Sequence, residues 1–454
     1  MSRLVGAASA AVVLIALALS LGGAPAGQSA RAAVPLRFAQ ATLAPRQPAG
    51  ATSSASAWCG DTTATDRGAP VVPGRAVHLI YAYPADGADR LAQFGSVIQT
   101  DVETIDGWWR GQDATRTPRF DLFAFPCGPQ VDISDVKLPQ SGAALTPISS
   151  RFNQIVSSLV AAGFASDYEI YVVYYDGPDD GGGVCGEGGT ADPSHGRAFA
   201  VVFPAGCPRE PTAPVAVHEL VHALGAVTAP APHECPPPND GHVCDSNRDL
   251  MYPYVDGSPL SSLVLDVGRD DYYGATGVGF DVRTSGWLRH LDEPHAHLTI
   301  SIAGAGSVDS DVPGVACTAS CASDWDGGQA VTLSATPASG MRFVRWGGAC
   351  TGSSTCAPTV MASTSVTALF APKTYLLTIG VLGRGAVSTS ATPSPCRLRC
   401  RVPVTSYQAV TLRAITRAGW RFARWTGACR GSRLSCRLPM SSNVAATAVF
   451  AKKS

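Results

Sequence analysis

LTISIAGAGSV at residue 298 returns as LTIGVLGRGAV at residue 377, and RFVRWGGAC at 342 returns as RFARWTGAC at 421. Cys317, Cys321, Trp346 and Cys350 align with Cys396, Cys400, Trp425 and Cys429 at one offset of 79 residues, while Cys356 and Cys436 stand 80 apart. A fixed offset over so many positions means one fold built twice, and no helical period runs through either copy. Ser, Thr, Gly and Val dominate, so the last third of the chain is expected to form two small all-β modules, 298–372 and 373–454. Short cysteine spacings inside each copy point to local bridges, Cys317–Cys321, Cys350–Cys356, Cys396–Cys400 and Cys429–Cys436, with cross-pairing between groups the alternative.

These two modules resemble the divergent internalin-B-like repeats found at the C-termini of bacterial surface and secreted proteins. The resemblance covers 298–450 and implies a fold, not an activity.

An exported chain would explain 14 cysteines. Residues 1–26 read as a secretory signal peptide, with one Arg, an apolar run from Leu4 to Leu21 and Ala24-Pro25-Ala26 at the cleavage site; a membrane anchor is the alternative. Residues 27–57, rich in Ala, Pro, Gln and Ser, read as a flexible leader or short pro-segment. The mature protein is then expected to be secreted or held at the cell surface. Its remaining cysteines pair as Cys59–Cys127, Cys185–Cys207 and Cys235–Cys244.

Residues 58–297 carry a different texture. The expected order is a strand at 76–83, a helix at 89–110, a strand at 119–125, a helix at 149–162 capped by Ser149 or Ser150, strands at 168–175 and 197–204, and a helix through HELVHAL. That is an α/β layer domain with a twisted mixed sheet. HELVHAL sets His218 and His222 four residues apart, one turn apart on the same helical face, so two imidazoles can share one metal ion. Glu219 stands beside the first ligand, where a carboxylate can take a proton from a water that zinc acidifies to roughly pKa 7. Gly225 ends the helix.

H-E-x-x-H-x-x-G followed by the Met turn Asp249-Leu250-Met251-Tyr252-Pro253 resembles the metzincin clan of zinc peptidases, over about 75–290. The resemblance implies His218 and His222 as zinc ligands, Glu219 as general base and Met251 as the floor beneath the metal. It departs at Thr228, where the clan usually places its third ligand. His242 is the leading replacement, from a likeness to exported bacterial proteins with G-H-x-x-D before the Met turn; His233 and Asp245 are the alternatives. Tyr252 and Tyr254 flank Pro253 where some members carry a tyrosine. A clan that takes a later glutamate fits poorly, since only Glu234 and Glu293 follow His222.

The expected function is a secreted zinc endopeptidase positioned by its repeats; the alternative is a non-catalytic adhesion or binding protein with an inactive peptidase-like domain. The acidic stretches 179–189 and 265–274 offer oxygen ligands that suit calcium, though neither has EF-hand spacing and solvated loops are the preferred reading. His78 reads as a core or surface histidine, and His290, His295 and His297 as linker residues. Residues 373–454 hold 14 Lys or Arg and no Asp or Glu. That balance suits anionic cell-wall polymers, polysaccharides or acidic lipids, and no base-reading motif points to nucleic acid.

Overall fold

The computed structural model describes residues 58–67, 74–190, 196–228, 231–292 and 295–453. The signal peptide and leader expected over 1–57 lie outside the described residues. Among the described residues, no helix is long and apolar enough to cross a membrane. The chain is mostly β, 41% strand against 15% helix, in many small sheets.

The N-terminal part is organised on one five-stranded sheet. β1 (Ala76–Tyr83) is an inner strand, with β4 (Ile133–Lys137) parallel on its outer side and β5 (Glu169–Tyr175), the central strand, parallel on the other. β7 (Ala198–Val202) continues in parallel, and β6 (Gly186–Thr190) closes the edge antiparallel to it. β1, β5 and β7 are buried on both faces, so they read as continuous apolar runs rather than alternating ones.

Helix α1 (Leu91–Gln112) covers one face with Leu91, Ile98, Val102, Ile105, Trp108 and Trp109 at helical spacing, each such burial worth roughly 1.5–3 kcal/mol. The other face is covered by α2 (Gly142–Leu145) and α3 (Ile148–Ala161), which pack Leu145, Phe152, Ile155 and Leu159 against Ile80, Val173 and Val201. No serine side chain caps α3, contrary to expectation. It starts after Pro147, and the Ile148 amide donates instead to Asp180 Oδ2 at 3.2 Å.

The expected strand at 119–125 needs correcting. Only Leu122–Phe125 (β2) is a strand, and it forms a hairpin with Gly128–Val131 (β3) outside the main sheet. Residues 119–121 meet β1 only at a single parallel bridge, Val77 to Phe120, and from Leu79 onward that edge pairs with β4, whose sequence ISDVK gives no clean alternation. A second correction concerns 179–189: its last residues are not loop but the glycine-rich edge strand β6.

All seven expected disulfides are present, from Cys59–Cys127 to Cys429–Cys436. Both C-terminal modules are all-β with their own cores. In each, the repeated tryptophan is buried and its indole N–H donates to a carbonyl of the following bridged loop, Trp346 to Ser354 O at 3.0 Å and Trp425 to Arg433 O at 2.9 Å. The first module is joined to the N-terminal part by the buried pair Arg119–Asp326 at 2.8 Å, and Gln329 accepts from the Arg75 amide at 3.0 Å.

Candidate metal centre

Helix α4 (Thr212–Ala223) packs its apolar residues Ala213, Val215, Ala216, Leu220 and Val221 into the core shared with α1. Its end is fixed by Gly225, at φ 101°, with the Gly225 amide donating to His222 O and the Ala226 amide to Val221 O. His218, Glu219 and His222 are all buried on this helix. The chain then loops back and places His242, 1% exposed, against them.

His218, His222 and His242 each offer a ring nitrogen, and these three atoms lie within 4.8 Å of one another. His222 Nε2 stands 3.2 Å from His242 Nε2. The opposite ring edges are committed to carbonyls: His218 Nδ1 donates to Leu250 O at 2.6 Å and His242 Nδ1 to Asn239 O at 3.1 Å. A neutral imidazole with Nδ1–H so engaged carries its lone pair on Nε2, the form a metal ligand needs. Burial pushes His218 down to about 3 and His242 down to about 4. Burial, together with the other two imidazoles, holds His222 well below the ordinary histidine range. All three rings are therefore neutral near pH 7.

Both carboxylate oxygens of Glu219 are buried without a hydrogen-bond partner among the described residues. Burial, then the nearby Glu187 charge, raises its pKa well above the usual carboxylate range. An isolated buried carboxylate is costly unless it has a partner or carries its proton. Three neutral imidazoles beside such a group form a donor set that fits zinc.

The loop presenting His242 is built for position. Cys235–Cys244 closes it, the Cys235 amide donates to His242 O at 2.7 Å, and the Cys244 amide donates to His233 O at 3.0 Å. The Val243 amide donates to Met251 O at 3.1 Å, which ties the loop to the Met turn. Met251 is fully buried. Asp249 shapes that turn by accepting from the Met251 amide at 2.7 Å, the Val267 amide at 2.7 Å and the Tyr272 hydroxyl at 2.9 Å.

The two alternatives for the third position lie elsewhere. His233 Nδ1 pairs with Asp271 Oδ2 at 3.0 Å, and Asp245 groups with these two rather than with His218. Tyr252 and Tyr254 line a small pocket beside His218, and Tyr254 accepts from Asn239 Nδ2 at 2.9 Å.

The strand missed in the sequence runs over Glu219. A Cβ on Gly186 would fall 2.5 Å from Glu219 Oε1, and one on Gly188 would fall 2.4 Å from Glu219 O. Only glycine lets β6 lie so close to α4. Glu187, between them, is buried, and burial raises its pKa to about 7.

Some carboxylates of the acidic stretches are engaged by the chain itself, while Asp266, Asp270 and Asp271 bring oxygens within 4.8 Å of one another. Asp266 Oδ2 accepts from the amides of Tyr272 at 2.8 Å and Tyr273 at 2.6 Å, and Asp179 pairs with Arg151 at 2.7 Å. His78 is a core histidine between Asp121 Oδ2 at 3.1 Å and Ser134 Oγ at 2.9 Å. His297 pairs with Asp324 at 2.5 Å on the surface.

Residues 307–374 and 402–454 match the divergent InlB B-repeat domain. No curated protein matches the chain. Among solved structures, the chain is similar to the TIE protein of Bacillus anthracis, with 10% identity and a TM-score of 0.25, over 36% of this chain and only 35% of that protein's length. The T-13 major pilin of Streptococcus pyogenes matches at 9% identity over 35% of this chain and 97% of its own, with a TM-score of 0.17. Catalytically inactive OgpA of Akkermansia muciniphila, solved with an O-glycopeptide substrate, matches at 9% identity over 86% of this chain and 98% of its own, with a TM-score of 0.21. None of these superpositions is close enough to define the fold of residues 58–297.

Proposed function

We propose that the chain is an exported, zinc-dependent endopeptidase of metzincin type, in which His218, His222 and His242 hold the metal and Glu219 moves the proton. One observation carries this reading: three buried imidazoles converge beside a buried carboxylate whose oxygens have no hydrogen-bond partner among the described residues. Zinc bound there would lower the pKa of a water to roughly 7 and polarise the scissile carbonyl.

The remaining steps belong to the chain. Glu219 accepts the proton of the attacking water and delivers it to the leaving amine nitrogen, a transfer worth about 10²–10⁴-fold in rate. The carbonyls of Leu250 and Asn239 orient His218 and His242. β6 is the edge of the sheet, so a substrate in extended form would add to it as a further strand beside Glu219. The disulfides suit an oxidising compartment outside the cell.

Glu219→Gln tests the reading. The variant should bind zinc as the parent does and lose hydrolysis of an unfolded protein substrate such as casein by at least about 10²-fold. Full activity in Glu219→Gln would reject Glu219 as the base. Full activity in thoroughly chelated protein would reject the enzyme class.

A further inference from the structure

The two C-terminal modules share a fold and differ in charge. Residues 373–454 carry 14 Lys or Arg and no acid, whereas 298–372 carry four Asp and two Arg. In the second module, β8 (Thr374–Leu382) and β11 (Val444–Lys452) are the inner strands of a four-stranded sheet, with β9 (Arg399–Thr405) and β10 (Trp420–Gly427) outside them. One face holds Leu377, Ile379, Val402, Val404, Ala446, Ala448 and Phe450 in the core. Side chains alternate along a strand, so the register fixes what the other face presents.

On that face Arg399, Gly380, Thr447 and Thr426 form one row across the sheet. Arg401, Thr378 and Ala445 form the next, and Arg424 and Arg421 stand beside Val449 and Ala451 on the far edge. The four arginines are exposed. They stand on the two outer strands, about 14 Å apart across three strand spacings, and the two pairs are staggered along the strands, Arg399 and Arg401 towards one end and Arg424 and Arg421 towards the other. Between them lies a floor of Thr378, Gly380, Ala445 and Thr447, giving way to Leu382 and Val449 in the Arg424 row. A Cβ at Gly380 would come 2.7 Å from Thr447 Oγ1, so glycine keeps that floor open and its hydroxyl accessible.

The first module supplies an internal comparison. By the offset of 79, Arg421 and Arg424 correspond to Arg342 and Arg345, but Arg399 and Arg401 correspond to Ser320 and Ala322. One arginine pair is common to both copies; the second exists only in the basic module.

We infer that this face binds an acidic polysaccharide, a chain of carboxylate-bearing sugars lying along the strands between the two arginine pairs. Guanidinium groups grip carboxylates through paired, charge-assisted hydrogen bonds. Threonine hydroxyls on the floor match sugar hydroxyls, which an apolar floor would not. Single-stranded nucleic acid fits poorly, because it needs several aromatic platforms along the face, whereas Tyr375, Trp420 and Trp425 pack onto the core and the exposed Tyr407 lies against Ser339 and Gly340 of the first module. An anionic membrane fits poorly too, since the floor is polar and recessed and the exposed Leu382 and Leu398 lie at one end of it. This inference stands independently of the zinc reading.

The test uses the full-length secreted chain and polygalacturonate, with affinity measured by calorimetry at low and high salt. Arg399→Ala with Arg401→Ala should weaken binding by about tenfold or more, the loss of two charge-assisted contacts. Arg413→Ala with Arg437→Ala removes the same charge from exposed positions on the module's other sheet and should leave affinity within about threefold, since exposed charges farther off than a Debye length are screened. Unchanged thermal midpoints in both variants show that folding is not the variable. Equal weakening by the two pairs would overturn the inference in favour of bulk charge, and so would absence of binding at low salt. Tighter binding to duplex DNA or to phosphatidylglycerol vesicles than to polygalacturonate would overturn it in favour of that other partner.

Discussion

Breaking the Cys235–Cys244 bridge should weaken zinc binding without abolishing it. The two cysteines are 9 residues apart and enclose His242, the one proposed ligand not carried by α4. Closing a loop of that length costs about 2.6 kcal/mol of chain entropy in the polymer treatment. In the bridged protein that cost is already met. In Cys235→Ser/Cys244→Ser it falls on each binding event, which corresponds to about 100-fold in affinity if nothing else holds the loop. Three backbone hydrogen bonds remain: Cys235 N–H to His242 O, Cys244 N–H to His233 O, and Val243 N–H to Met251 O. The expected loss is therefore between about 10- and 100-fold. Competition against a chromophoric chelator measures it directly. His242→Ala should do worse than the bridge variant, because it deletes a donor instead of loosening one. His233→Ala should leave affinity unchanged, since that ring is held by Asp271. An affinity within twofold of the parent in the bridge variant would refute the preorganisation argument; an emptied site in His233→Ala would refute the ligand assignment itself.

Gly186→Ala should retain zinc and lose activity, because its methyl would displace the Glu219 side chain; Gly188→Ala meets backbone instead and should lower stability by about 1–3 kcal/mol in denaturant titrations. Burial lowers the His78 pKa, but the hydrogen bond and charge of Asp121, with the charges of Asp66 and Glu169, outweigh it and raise the pKa to about 9 from 6.5. Its contribution to stability is thus complete below pH 6.5 and lost as pH rises through about 9, and urea midpoints across that window should fall; a flat profile would sink the ion-pair assignment. Arg119→Ala leaves buried Asp326 with Arg289, at 3.3 Å, as its ion-pair partner among the described residues, and should loosen the first module by about 3 kcal/mol, seen as an earlier proteolytic cut between it and the sheet domain.

Local chemistry was the legible part of this sequence. His218, Glu219 and His222 could be placed on one helix because four-residue spacing is a property of the helix alone. Bridges between cysteines four to nine residues apart were legible for a similar reason: few folds can keep such neighbours from meeting. The third histidine was only partly legible. Its place before the Met turn favours His242 over His233; what separates them physically is Asp271, about forty positions downstream, which holds the His233 ring, while the His242 ring donates to Asn239 O and turns Nε2 toward His222.

The strands that failed to show did so for opposite reasons. RFDLFAF alternates as a half-buried strand should, but it is split: residues 119–121 touch β1 through one bridge at Val77, and only Leu122–Phe125 is a strand, in a hairpin of its own. Alternation reports a face turned to solvent; it says nothing about which sheet supplies the partner. GEGGT carries almost no strand propensity, yet it forms the sheet edge above Glu219. Its glycines answer to a close approach by α4, not to the preferences of an extended chain. A residue chosen for what must fit against it leaves no periodic signal, and the strand nearest the proposed chemistry is where that constraint is tightest. The position in the sheet where pattern reasoning is weakest is therefore also the one where substitutions should bear most directly on Glu219.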